Sequence, residues 1–565
     1  MRTSHRLLIA ATAAGLSALS ASGAAFAARN PTADAGTPPV TFSGSYLAAR
    51  SADLSRDMPA ALDYYNEALS ADPGNPALVE RILLLSMANG EMDQAFALGP
   101  RLLALDSSNP AARVSQAVDA IEQGRLDDAR KNLASISQGE LSLLTSGLLG
   151  AWIDYSQGKV DEAVARIDAL KGPEWYSIFK QYHTALILDA AGRQQPAVDA
   201  ISTAYKADAT ALRVVEGYAR ILARAGKTDE AVHALTQFTS EAPLQPVIRD
   251  LLAEIKSGKP IDPAETTVEG GAAEALYGLG SAIGLDDGPE LPAAYLRLAA
   301  YLDPTNYLTT MAIGDAFQGV QRCDEAIPIY DSVPKTTSLR RNADLQIGNC
   351  LVTEEKPDEA ATYIKRGVDA DPTDVEAATE LGNVYRSSNR FSEAADAYTR
   401  GIAAISDQAQ ADWRIFYYRG VSLERAKRWA EAEADFNRAL AINPEQAQVL
   451  NYLGYSWVDR GLNLDKALTM IQKAVDLRPN DGYIVDSLGW AFHKLGRNAD
   501  AVSTLEAAVL LKPEDPTIND HLGDAYWTVG RKREATFQWA HARDLQPEKE
   551  DLPKILAKIE KGLSG

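Results

Sequence analysis

The sequence predicts an all-α fold, a solenoid of stacked helical hairpins in two arrays. Two observations lead there. Gly454, Gly489 and Gly523 recur 35 and 34 residues apart, and Ala467, Ala501 and Ala535 recur at 34, as do Pro479, Pro513 and Pro547. A fixed period in this range marks a repeat in which each unit touches only its neighbours. The chain has 565 residues, 46% of them hydrophobic, which is too long for one compact core and ordinary for a repeat array.

The chain divides in order. Residues 1–27 read as a secretory signal: Arg2 and Arg6 precede the apolar run LLIAATAAGLSALSA, and Ala25-Phe26-Ala27 supplies small residues for cleavage after Ala27. The rival, an uncleaved anchor, needs about 20 strongly apolar residues, and this run is rich in Ala, Ser and Gly instead. The first cysteine is Cys323, so no thiol stands near the cut to carry a lipid. The expectation is a soluble exported protein, periplasmic in a Gram-negative host, with any membrane association made through partners. Residues 28–41 (ARNPTADAGTPPVT) form a flexible lead-in.

Residues 42–245 hold six divergent repeats. Ala61, Ala95, Ala129, Ala163, Ala197 and Ala231 recur every 34 residues, and so do Gly90, Gly124, Gly158, Gly192 and Gly226. The alanines mark close helix–helix approach, and the glycines mark turns that need positive φ. Register breaks over 246–272, where PVIRDLLAEIKSGKPIDPAETTVEGG reads as a stop helix followed by a linker. A continuous superhelix with one looped-out insertion is the alternative. Eight repeats follow over 273–549, phased by Gly280, Gly314, Gly348, Gly382, Gly420, Gly454, Gly489 and Gly523, with one longer step of 38 residues at SDQAQAD. Residues 550–565 contain an amphipathic capping helix that covers the last apolar face.

Charge narrows the function. With 77 acidic against 56 basic residues the formal charge is -21, which argues against nucleic acid and against anionic lipid as partners. The six histidines are scattered, and no HExxH, CxxC, GxSxG, Walker A or dinucleotide-binding motif is present. The expectation is therefore no catalytic residue, no metal and no cofactor.

The 34-residue helix–turn–helix unit resembles the tetratricopeptide repeat (TPR), which implies an α-solenoid wound as a right-handed superhelix with a concave groove. In such repeats positions 2, 5, 9 and 12 face the groove. Here these positions include Arg414 and Tyr417, then Asn451 and Tyr455, then Tyr483, Asp486 and Trp490, then Asp520, Asp524 and Trp527. The family's core positions are filled separately by Trp457, Phe492, Tyr526 and Trp539, so Trp490 and Trp527 are surplus to the repeat core. They read either as partner anchors or as rings packed on the neighbouring helix. Acidic residues at positions where relatives hold a C-terminal carboxylate disfavour such a ligand and favour a basic or neutral one. Cys323 begins the second helix of one repeat and Cys350 lies late in the first helix of the next. Antiparallel stacking brings these ends together, as a disulfide in an oxidising compartment or as two buried thiols.

The segments LGYSWVDRG, DSLGWAFHKLGR and HLGDAYWTVGR, within 451–545, resemble bacterial envelope TPR proteins. One branch of these comprises outer-membrane lipoproteins that act as adaptors for a periplasmic C-terminal processing protease and its cell-wall hydrolase substrates. The resemblance implies a non-enzymatic protein–protein interaction scaffold of the cell envelope. The alternative is a periplasmic TPR assembly factor for polysaccharide synthesis or secretion machinery.

Overall fold

The computed structural model describes residues 41–563 except 243, 244 and 287. The leader and almost all of the lead-in lie outside the described residues. Six helix pairs open the fold: α1 (Phe42–Leu54) with α2 (Met58–Ala71), α3 (Pro76–Asn89) with α4 (Met92–Leu105), α5 (Pro110–Glu122) with α6 (Leu126–Ala134), α7 (Glu140–Ser156) with α8 (Val160–Asp168), α9 (Tyr176–Ala190) with α10 (Gln194–Ala207), and α11 (Leu212–Arg224) with α12 (Thr228–Glu241). The five turn glycines from Gly90 to Gly226 have φ between +68° and +83°, the left-handed region that a side chain resists.

A single helix, α13 (Pro246–Lys256), packs Ile248, Leu251 and Ile255 against the end of this array. Eight further pairs follow. They are α14 (Val268–Ala282) and α15 (Glu290–Leu302), α16 (Tyr307–Gly319) and α17 (Cys323–Asp331), α18 (Arg340–Thr353) and α19 (Pro357–Ala370), α20 (Val375–Ser387) and α21 (Phe391–Ala404), α22 (Trp413–Arg425) and α23 (Trp429–Ile442), α24 (Ala447–Asp459) and α25 (Leu464–Leu477), α26 (Gly482–Lys494) and α27 (Asn498–Leu511), and α28 (Pro516–Thr528) and α29 (Lys532–Asp544). The chain's last helix is α30 (Leu552–Lys561). Asp374, Asp412, Asp481 and Asp515 begin α20, α22, α26 and α28, each accepting a hydrogen bond from a backbone N–H of the first turn.

Phased glycines in the second array do a different job from those in the first. They lie inside the first helix of each pair, beneath a large side chain about 16 residues on. A methyl group on Gly382 would stand 2.6 Å from the Tyr398 ring, and one on Gly420 would stand 2.7 Å from Phe436. Ile364, Leu505 and Leu296 fill the same role over Gly348, Gly489 and Gly280. The turns here have positive φ at Gln321, Glu355, Asn389 and Lys427, and at Gly461, Gly496 and Gly530. Cys323 and Cys350 stand with Cα atoms 5.2 Å apart at the junction of α17 and α18, as a disulfide.

The two arrays are not independent of each other. The hairpin α14–α15 stacks on α16 and also packs against α3, α5, α7 and α9 of the first array. Gly271 lies directly on the Trp152 indole. The Tyr295 hydroxyl is 3.2 Å from Thr145 Oγ1, and Arg81 donates to Glu290 at 3.1 Å. One apolar core runs from Ala49 through this hairpin to Ala397, and a second begins at Ala394 and reaches Ile555. The groove of the first array is thus filled by the chain itself.

A buried ionic cluster fastens the hairpin. Arg213 of α11 donates to both oxygens of Glu274 on α14, at 2.9 and 2.7 Å, and also to Glu216, while the Tyr182 hydroxyl donates to Glu274 at 2.8 Å. Burial raises the Glu274 carboxyl, but Arg213 more than offsets this and holds it below its usual range. Two outcomes follow. Gly382→Ala, which forces the Tyr398 ring aside, lowers stability by about 1–3 kcal/mol in thermal melts. Arg213→Ala strands Glu274 and costs about 3–5 kcal/mol, and hydrogen exchange rises over 268–282 before it rises over 375–404.

Candidate functional site

The concave face built by α24, α26 and α28 collects most of the groove positions. Its centre is Asp486 on α26, both of whose carboxylate oxygens lie 3.0 Å from His521 Nδ1 on α28. Trp490 is stacked between two imidazoles, with His521 at 4.1 Å and His493 at 5.0 Å between ring centroids, and Lys494 Nζ sits 4.9 Å from the same indole. Trp527 tilts against Trp539 at 5.3 Å and carries Lys532 Nζ at 4.9 Å, and Gly562 abuts its ring. Both tryptophans therefore have their faces engaged by the chain. Trp490 Nε1 is buried with no hydrogen-bond partner in the protein.

The remaining groove positions divide. Asn451 Oδ1 is likewise buried without a partner. Tyr455 is half-buried; burial pushes its hydroxyl up, with Asp486, Asp459 and Asp551 adding to the effect. Asp520 and Asp524 receive the ammonium of Lys558 on α30, at 2.6 and 2.8 Å, and Asp524 also accepts from Trp539 Nε1 at 2.9 Å. Tyr417 joins an aromatic cluster with Tyr452 and Phe436, at 6.1 and 6.2 Å. Arg414 pairs with Asp412 at the start of its own helix, and Tyr483 stands exposed beside Lys512. No hydrogen bond or ring contact among the described residues ties these last two to the groove centre. The core residues Trp457, Phe492, Tyr526 and Trp539 are all buried.

A second concavity was not legible from the repeat positions. A cavity of about 660 Å³ lies between α9, α11 and α14, lined by Trp175, Phe179, Leu212, Tyr277 and Ile283, with Arg213 and Glu274 at its polar end. Next to Tyr182 there, His183 accepts a hydrogen bond from Trp152 Nε1, and burial pushes its imidazole down to about 4. The one signal in the sequence was Glu274, a charge among the small and apolar residues of VEGGAAEALYGLGSA. Among the described residues no group of three or more His, Cys, Asp or Glu side chains is placed to hold a metal ion, and no helix is long and apolar enough to cross a membrane.

The two imidazoles around Trp490 are pushed in opposite directions. Burial, then His521, Lys494 and Lys558, lower His493 to about 4. Burial would also lower His521, but Asp486, helped by Asp520 and Asp524, overcomes it and raises the value. Against an unfolded value of about 6.5, neutral His493 contributes stability that is full above pH 6.5 and lost as pH falls toward 4. The His521–Asp486 pair contributes stability that is full below 6.5 and lost as pH rises through the raised value of His521. An NMR titration of the histidine ring protons is expected to give a midpoint near 4 for His493 and one above about 6.5 for His521; the reverse order would contradict the geometry.

Comparison with known proteins agrees with this architecture. Family models described as tetratricopeptide repeat match residues 345–410, 379–447 and 419–482, and a further one matches 486–515. TPR repeat-containing protein PA4667 of Pseudomonas aeruginosa is 28% identical over 159 residues, covering 28% of this chain. The match spans only 26% of that relative's own length. Among solved structures, a tetratricopeptide repeat protein from Parabacteroides merdae is 15% identical with a TM-score of 0.39, covering 45% of this chain and 99% of that one. YrrB, described as a TPR protein with an unusual peptide-binding site, is 21% identical with a TM-score of 0.28, covering 34% and 97%. Residues 345–482 and 486–515 of this chain are tetratricopeptide repeats, set within an all-α solenoid that continues the same helix pairing on both sides.

Proposed function

We propose that the protein is an exported adaptor of the bacterial cell envelope, which binds partner proteins along the concave face of α24, α26 and α28. TPR arrays are protein-interaction scaffolds, and the observation that carries the placement is a set of unpartnered polar atoms on these three helices. Asn451 Oδ1, Trp490 Nε1, His493 Nδ1 and Asp520 Oδ1 are buried there with no hydrogen-bond partner in the protein. Buried polar atoms are nearly always paired, so such a row on successive first helices suits a site completed when the side chains over it shift to admit a peptide that brings its own donors and acceptors. The first array's groove is occupied by α14–α15, apart from the cavity between α9, α11 and α14.

Export rests on the leader at 1–27, and the disulfide between Cys323 and Cys350 suits an oxidising compartment. Recruitment of a C-terminal processing protease and cell-wall hydrolases rests on the resemblance of 451–545 to envelope adaptors. Affinity capture from a Gram-negative envelope extract tests both levels. An Asn451→Ala/Trp490→Phe variant removes two unpartnered groups and keeps the aromatic stack. It is expected to recover about tenfold less of the specific partners. Undiminished recovery at an unchanged melting temperature rejects the groove, and a recovered set without such a protease rejects the finer reading. Protein purified from the periplasm and denatured without reductant is expected to titrate no thiol; two thiols per chain would remove the bridge.

A further inference from the structure

The last helix, α30, packs on α29 as the first helix of a further pair would, and also sends a side chain into the groove. After α29 the chain turns at Gln546, which has positive φ, and α30 follows. Lys558 Nζ donates to Asp520 and Asp524, one turn apart on α28. Ile555, one turn before Lys558, is 2% exposed, and Ile559 and Leu563 pack on the same apolar cluster as Trp527. So α30 brings an apolar stripe and a cation to the groove, yet leaves Asn451 Oδ1, Trp490 Nε1, His493 Nδ1 and Asp520 Oδ1 without partners.

Self-contact of this kind satisfies the charge and the apolar surface but not the hydrogen bonds. We propose that α30 is a displaceable internal ligand, and that its chemistry describes the partner. The partner is a basic amphipathic helix of another protein. It places a lysine or arginine between Asp520 and Asp524, with an isoleucine-sized residue one turn earlier, and adds polar groups that reach the unpartnered atoms. This rests on the reading of the groove as the docking face and deepens it by naming the ligand. The acidity of the face favours such a helix over an acidic or carboxylate-terminated one. An intramolecular helix competes at high effective concentration, so only a segment that makes the additional bonds displaces it.

The test uses the full chain and a fluorescent synthetic peptide of residues 550–565 as probe. Lys558→Glu places a carboxylate against Asp520 and Asp524 and releases α30, so this variant is expected to bind the wild-type peptide about tenfold more tightly than the unaltered chain does. The peptide carrying the same substitution binds neither, and adding Asp520→Asn/Asp524→Asn to the variant abolishes capture. Equal or absent binding by a Lys558→Glu chain with unchanged circular dichroism overturns the proposal. If that variant is poorly folded, Lys558→Gln is followed by hydrogen exchange. A rise of about tenfold confined to 552–561 supports displacement, and an equal rise in α28 and α29 makes α30 a structural cap and overturns it. Concentration-dependent mixed dimers of variant and unaltered chains in sedimentation overturn it in favour of exchange of α30 between copies. Failure here with partner capture still sensitive to Asn451→Ala/Trp490→Phe removes the internal ligand and leaves the docking face.

Discussion

In the second array the stack depends on a glycine in the first helix of each pair meeting a large side chain in the second. Where the ring of Tyr398 lies on Gly382 and that of Phe436 lies on Gly420, the two helices close to a distance that any Cβ would prevent. The partner residue is set by the length of one helical turn-around, so the contact fixes both the separation and the register of each hairpin. Gly454 meets Ile471, one residue later than its counterparts, and the turn between them is one residue longer, with positive φ at both Gly461 and Asn463. An added residue is absorbed in the turn while the packed pair is kept, which is how a repeat can drift in length without losing its geometry.

That local rule explained much of the fold from the sequence and stopped short at four places. Gly90 to Gly226 were read as turn residues, and their φ values agree. The glycines of the second array carry the same letter at the same period but serve helix contact, while Gln321, Glu355, Asn389 and Lys427 take the left-handed turn position. Spacing alone does not separate these roles, because both repeat with the hairpin. The seating of α14–α15 inside the first array was also hidden. A repeat period reports contacts between neighbours, and the contacts of Arg213 with Glu274 and of Thr145 with Tyr295 cross 61 and 150 residues.

The candidate groove shows the same limit. Trp490 and Trp527 were read as surplus to the repeat core, with anchoring and packing both open; both are partly buried and pack against the core of the second array. Their faces turn out to be engaged by His521, His493 and Trp539, contacts set by how successive helices are rotated against one another. The path of α30 was the other unknown. Its amphipathic pattern announced that one side would be covered, but not that Lys558 would reach Asp520 and Asp524.

Wrapping the pairs from α3 to α12 around α14–α15 changes the mechanics of the molecule. A bare solenoid yields like a coil spring, because extension only rotates each unit slightly against the next. The first array is wound on a spool that belongs to its own chain, and to lengthen it the buried ion cluster at Arg213 and the Trp152–Gly271 contact must first be broken. Compliance is therefore concentrated in the pairs from α16 onward. A pull on the C-terminal half bends or stretches the part that carries the groove, while the first array moves as a stiff handle.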